Sequence, residues 1–146
     1  MNTLEIEKIL TQNYVTRKYF IGCFASDKIP STINVYPASM VINLDRESNE
    51  GTHWIALFII NSTTIYIFDS LLISKLPSPI VNFISMFPKQ IKNKTILQSP
   101  LSTTCGQHCI VFLYFISLGY TYEKYLKTIL NFTPDIFVSS FINKIK

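Results

Sequence analysis

The sequence predicts an α+β fold in which a small mixed or antiparallel sheet packs against one central buried helix. Three observations lead there. Residues 53–60 (HWIALFII) and 64–68 (TIYIF) are apolar, β-branched runs joined by the turn-forming Asn61-Ser62-Thr63, the pattern of a hairpin. Residues 105–118 are apolar on all sides, which describes a helix enclosed by the rest of the fold, and Gly119 follows as its stop. The segments run helix, strands, helix, strand, helices, an order that fits α+β.

Each element follows from local chemistry. In residues 3–10, Leu4, Ile6, Ile9 and Leu10 recur near helical spacing, and Glu5 and Glu7 favour the positive end of a helix dipole. Residues 11–37 hold Asn13, Gly22, Pro30, Ser31 and Pro37, so turns are expected around an apolar Tyr19-Phe20-Ile21 piece. Met40-Val41-Ile42 is a short strand that runs into a polar loop, 45–52. The run 53–60 lacks alternation, as a strand covered on both faces does. Pro79 suits the first turn of a helix through Ile80, Val81, Phe83, Ile84 and Phe87, stopped by Pro88. Thr95-Ile96-Leu97-Gln98 reads as another short strand. Helices are expected over 122–130 and 134–145, the last opened by Pro134.

At 146 residues the chain matches one domain, 1–146. With 48% hydrophobic and 15% charged residues it is too apolar for a disordered protein. Its longest apolar run, 109–116, falls well short of the ~20 residues of a membrane-spanning helix, so no membrane partner is expected. Three Cys are an odd number, and no secretory leader is seen, so a reducing compartment without a disulfide framework is expected. The net charge of +4 is scattered except at Lys89, Lys92 and Lys94, read as a solvated loop that also offers a contact for DNA.

Only two His and three Cys are available for chemistry. His53 opens the first strand of the hairpin and Asp69 closes the second, so antiparallel pairing sets them side by side at one sheet edge. A carboxylate there fixes the tautomer of the imidazole and stabilises imidazolium. Cys105 begins the buried helix behind Ser102-Thr103-Thr104, any of which can cap it, and the amides and dipole of that helix end favour a thiolate. Gly106 leaves room for a substrate backbone, and Gln98, seven residues before Cys105, is a neutral amide donor suited to an oxyanion. Cys109 is expected in the core. His108, on the helix of Cys105 itself, is a poorer base than His53. Zinc held by Cys105, His108 and Cys109 is disfavoured because 108 and 109 do not share a helix face, so no metal is expected. Trp54 reads as core, and Cys23 has no assigned role.

Together these residues resemble a known family. Gly51-Thr52-His53-Trp54, Ile67-Phe68-Asp69 and Gln98-(six residues)-Cys105-Gly106 are similar to the motifs of adenain-like cysteine proteases, the maturation proteases of adenoviruses. Such proteases also occur in polintons and virophages, and the SUMO-deconjugating proteases are more distantly similar. The resemblance spans roughly residues 15–118 and includes Tyr19-Phe20-Ile21-Gly22 and Met40-Val41-Ile42-Asn43. It implies a papain-like, adenain-like fold and a cysteine endopeptidase with nucleophile Cys105, base His53, orienting acid Asp69 and oxyanion donor Gln98. The implied substrates are viral capsid-protein precursors, cleaved during maturation in the virion or in the host-cell nucleus or cytoplasmic virus factory. No cofactor is required by that chemistry, which leaves room for a peptide or DNA activator. Two departures stand out. Asp69 occupies the place of a glutamate in adenain, and no Cys between Asp69 and Gln98 matches the one through which adenain binds its activating peptide covalently. Two other readings stay open: a protease of ubiquitin-like or SUMO-like conjugates, and a non-catalytic DNA-binding virion protein on the same scaffold.

Overall fold

The computed structural model describes residues 1–45 and 53–146, so Gly51 and Thr52 of the sequence motif, and most of the polar loop before His53, lie outside the described residues. Helix α1 (Thr3–Gln12) leads through a 3₁₀ turn (Thr16–Lys18) to strands β1 (Phe20–Ala25), β2 (Ala38–Asn43), β3 (Trp54–Ile59) and β4 (Thr64–Phe68). Helix α2 (Ser78–Ile84) and strand β5 (Lys89–Lys92) follow, then helices α3 (Cys105–Leu118), α4 (Tyr122–Ile129) and α5 (Pro134–Ile145). The strands form one sheet in the order β1-β2-β3-β4-β5, antiparallel from β2 to β4 and parallel at both outer pairs. The fold is α+β with a mixed five-stranded sheet.

Why β3 lacks an alternating pattern is visible in its pleat, which sends successive side chains to two different cores. Trp54, Ala56 and Phe58 face α1, α3, α4 and α5, while Ile55, Leu57 and Ile59 face α2 through Ile80, Phe83 and Ile84. Both faces are dry. Helix α3 is enclosed in the same way, with the sheet on one side and α1, α4 and α5 around the rest, so apolar residues suit every face. Phe68 and Phe112 are fully buried and stack with centroids 4.5 Å apart and planes at 9°. That stack fixes the end of β4, where Asp69 follows, against the helix that begins at Cys105. Gly119, at φ 115°, ends α3, and the N–H groups of Gly119 and Tyr120 close on the carbonyls of Ile116 and Phe115.

Three segments differ from the sequence expectation. Residues 20–25, read as the end of an apolar piece at Phe20-Ile21 followed by turns, form β1, which pairs with β2 in parallel and carries an extra residue at Ile21. Gly22 there has φ 149°, and a Cβ in its place would come within 2.8 Å of the Phe24 ring. The lysine-bearing segment read as a loop forms β5 at the sheet edge, where charged side chains discourage edge-to-edge pairing. Residues 95–98, read as a strand, are a loop. The N–H groups of Leu97 and Gln98 both donate to the carbonyl of Ser70, at 2.9 and 3.1 Å, and no ladder continues from them. No helix among the described residues is long and apolar enough to cross a membrane.

Candidate active site

His53 stands immediately before β3 and Asp69 immediately after β4, and the antiparallel register that places Ala56 opposite Phe68 brings both to the same end of the sheet. His53 Nε2 lies 2.7 Å from Asp69 Oδ1, and both side chains are buried. The carboxylate also accepts from Leu71 N–H at 3.0 Å through Oδ1 and from Ile73 N–H at 2.9 Å through Oδ2. Between those two amides Leu72 adopts φ 50°, a left-handed conformation that costs a leucine on the order of 1 kcal/mol. The backbone of Asp69 is gripped by Asn93, whose Oδ1 accepts from Asp69 N–H at 3.0 Å and whose Nδ2 donates to the Asp69 carbonyl at 2.7 Å. Asn93 N–H in turn donates to the hydroxyl of Tyr122, which donates to the Ile67 carbonyl. An ionised carboxylate can only accept, so the Nε2 proton of His53 is committed to Asp69 and Nδ1 is the ring position that faces other chemistry.

Cys105, the first residue of α3, faces that imidazole. The two side chains shift each other's titration, while Nδ1 has no hydrogen-bond partner among the described residues. A thiol seated against the ring but loosely aligned satisfies both observations, and such contacts tighten when substrate is bound. Burial raises the Cys105 thiol, but the neighbouring His53 and the backbone N–H groups of Trp54 and Gly106 outweigh it and hold the thiol below its ordinary 9.0. For His53, burial favours the neutral ring, yet the Asp69 bond and charge and the neighbouring Cys105 carry it from 6.5 to about 9. Asp69 is pushed up by burial and pulled down further by His53 and the amides of Ile73 and Leu71, so it stays ionised. The opposed shifts of Cys105 and His53 both run toward a thiolate–imidazolium pair on an ionised carboxylate.

Gln98 is buried on the loop before α3. Its Nε2 donates to the Ser102 carbonyl at 3.0 Å, and its Oε1 accepts from Ser70 Oγ at 2.7 Å. A carbonyl can only accept, so the amide cannot be turned round, and its second N–H is left for another acceptor. Ser70, next to Asp69, therefore orients Gln98.

Two sequence expectations about the helix start are corrected. Ser102, Thr103 and Thr104 were candidate caps, but no side chain caps α3, and the Thr104 hydroxyl is turned to Asp135. The first-turn amides thus keep their donors. Gly106 does not open a path for substrate. Its missing Cβ points at α1, 3.1 Å from Ile6 Cδ1 and 3.3 Å from Met1 Sδ, so glycine there lets α1 and α3 pack closely. His108 is bonded to Asp135 at 2.8 Å, and burial lowers its pKa despite that partner. Cys109 lies in the core with its thiol pushed well up by burial, and burial likewise pushes Cys23 up to about 12. Among the described residues these side chains form no metal-binding group. Sequence reasoning missed Ser70, Asn93, Tyr122 and Asp135. Each is an ordinary polar residue whose partner is remote in the chain, and only Asp135, an acid in the first turn of a helix, had any local signal, which pointed to the helix dipole.

No model of a protein family matches the chain, and no curated protein matches its sequence. Among solved structures, the central domain of the uncharacterized Lpg1148 protein from Legionella pneumophila superposes over 100% of this chain and 98% of its own, with a TM-score of 0.51 and 10% identity. The ASFV pS273R protease matches 58% of this chain at a TM-score of 0.42 and 17% identity. ChlaDub1 from Chlamydia trachomatis matches 64% at 0.46 and 19% identity. The matches cover 36% and 46% of those two proteins, less than half of either. At 10% identity the likeness to the Lpg1148 domain is one of fold, over nearly its whole length.

Proposed function

We propose that the chain is a cysteine hydrolase that cleaves peptide bonds. The observation that carries the reading is the meeting of Cys105, at an uncapped helix start, with an imidazole whose far nitrogen is 2.7 Å from a buried carboxylate. The Cys105 thiolate adds to the scissile carbonyl carbon, and the carbonyl π pair moves to oxygen. The second N–H of Gln98 and the Cys105 backbone N–H hold that oxyanion. As the tetrahedral adduct collapses, the C–N bond breaks and imidazolium Nδ1–H protonates the departing amine. His53, now neutral, takes a proton from water, which attacks the thioester, and the carboxylic acid leaves as the thiolate–imidazolium pair is restored. Asp69 holds the ring in one tautomer throughout.

The finer reading is an endopeptidase that cleaves viral capsid-protein precursors during virion maturation, in the virion or inside the host cell, with DNA contacted through Lys89, Lys92 and Lys94. Its support is the motif resemblance, joined by the placement of all three lysines on or just after an edge strand. The class is tested by incubating the purified chain and its Cys105→Ala variant with a proteome-derived peptide library and mapping new termini by mass spectrometry. The expected result is cleavage by the wild type alone; equal cleavage by the variant, or none by either on the library and on SUMO and ubiquitin fluorogenic conjugates, refutes the class. Cleavage of SUMO or ubiquitin fluorogenic conjugates with no endopeptidase activity would move the substrate class to deconjugation.

A further inference from the structure

Asp135 sits in the first turn of α5, thirty residues beyond Cys105, yet its carboxylate reaches the loop that carries the oxyanion donor. It accepts three hydrogen bonds: from Ser99 N–H to Oδ2 at 3.0 Å, from Thr104 Oγ1 to Oδ1 at 2.7 Å, and from His108 Nε2 to Oδ1 at 2.8 Å. Ser99 directly follows Gln98, and Thr104 directly precedes Cys105. One side chain therefore grips the loop 99–104 at both ends.

The bond directions inside the loop follow from that grip. A carboxylate only accepts, so the Thr104 hydroxyl gives its proton to Asp135 and can accept from Ser102 Oγ, which lies 2.8 Å away. Ser102 also offers the carbonyl on which Gln98 Nε2 rests, and Gln98 Oε1 is held by Ser70. A continuous chain of bonds thus runs from Asp135 through Thr104, Ser102 and Gln98 to Ser70, the neighbour of Asp69. His108 is locked by the same carboxylate with its proton on Nε2. None of the three bonds to Asp135 involves His53, Asp69 or Cys105.

We propose that Asp135 is a positioning residue for the oxyanion half of the site, setting where the Gln98 amide stands relative to Cys105 and leaving thiolate formation to the other half. The proposal rests on the cysteine-hydrolase reading. It separates two reactions of the same sulfur. Alkylation by iodoacetamide displaces iodide and builds no oxyanion. Addition of Cys105 to a peptidyl aldehyde forms the S–C bond and places the former carbonyl pair on an oxygen that Gln98 must hold before it is protonated.

The experiment compares wild type with Asp135→Asn, Thr104→Val and Thr104→Ser, using iodoacetamide, a peptide cleaved by the wild type, and the aldehyde of the same sequence; circular dichroism and thermal melting check folding. Asparagine places an N–H₂ where one of the three donors now finds an oxygen, and valine removes the hydroxyl link. The expected result for both is iodoacetamide kinetics and pH profile within about two-fold of wild type, KM nearly unchanged, and kcat and aldehyde affinity lower by about 10–100-fold, below the full loss of an oxyanion donor. Thr104→Ser should restore most of the loss. Unchanged kcat and aldehyde affinity in Asp135→Asn and Thr104→Val, or a parallel fall in iodoacetamide reactivity, would overturn the clamp. Wild-type alkylation no faster than that of an ordinary thiol and indifferent to His53→Ala would instead remove the hydrolase reading itself, and the clamp's role with it.

Discussion

Replacing Asp69 by Asn isolates the part of the site that tunes the base. His53 is raised from 6.5 to about 9, a preference for imidazolium on the order of 3 kcal/mol, and the Asp69 hydrogen bond is the largest contribution in that direction. In the wild type the active form needs thiolate and imidazolium together, so kcat/KM rises as pH passes the depressed thiol value and falls as pH passes about 9. Asparagine keeps one oxygen for His53 Nε2–H and Leu71 N–H but sets an N–H₂ against Ile73 N–H, and it carries no charge. Burial, which favours the neutral ring, is then opposed mainly by Cys105, and the alkaline limb should move from about 9 toward 6.5. From titration alone this lowers kcat/KM by about 30-fold at pH 8, with a smaller loss at pH 6.5. Cys105 loses part of its cationic partner as well, so the acid limb moves up and the bell narrows from both sides. The assay is kcat/KM between pH 5 and 10 on a peptide taken from the library digest. An alkaline limb that stays near 9 in the variant would show that Asp69 does not hold the proton on His53, and the argument from geometry to base would fail.

Other perturbations separate chemistry from support. Gln98→Ala should lower kcat by about 10²–10³-fold while iodoacetamide alkylation of Cys105 keeps its wild-type rate, measured in parallel on one preparation. Asn93→Leu strips the buried N–H and carbonyl of Asp69 of their partners and should destabilise the fold by about 2–4 kcal/mol, read as a lower urea midpoint. Gly106→Ala crowds the flexible ends of Ile6 and Met1, at about 1 kcal/mol, but gains a similar amount in helix propensity. Its stability should change by no more than about 1 kcal/mol and its KM not at all; a raised KM at unchanged stability would return Gly106 to the substrate path.

What the sequence discloses depends on how local each feature is. The β3–β4 hairpin and α3 are legible because short-range pattern and tertiary burial agree, with Asn61 turning the chain and Gly119 stopping the helix. His53 and Asp69 are legible for the same reason, since one turn and one register suffice to bring them together. Strands β1 and β5 are not, because each pairs in parallel at an edge, where the partner strand decides the matter and Gly22 or the lysines argue locally for a loop. Residues 95–98 err the other way, with a β-branched run drawn onto the carbonyl of Ser70. Buried polar residues such as Asn93 and Asp135 are the hardest. Nothing in their neighbourhood along the chain distinguishes a side chain that spans 24 or 36 residues from one facing solvent.

The stacked Phe68 and Phe112 rings join the layer that carries the base to the layer that carries the nucleophile. Neither layer owns a complete set of reacting groups, so warming that loosens their docking would erase reactivity even while strands and helices persist. Labelling of the thiol would then act as a built-in gauge of side-chain order, extinguished together with the near-ultraviolet signal of these aromatics and ahead of the far-ultraviolet one.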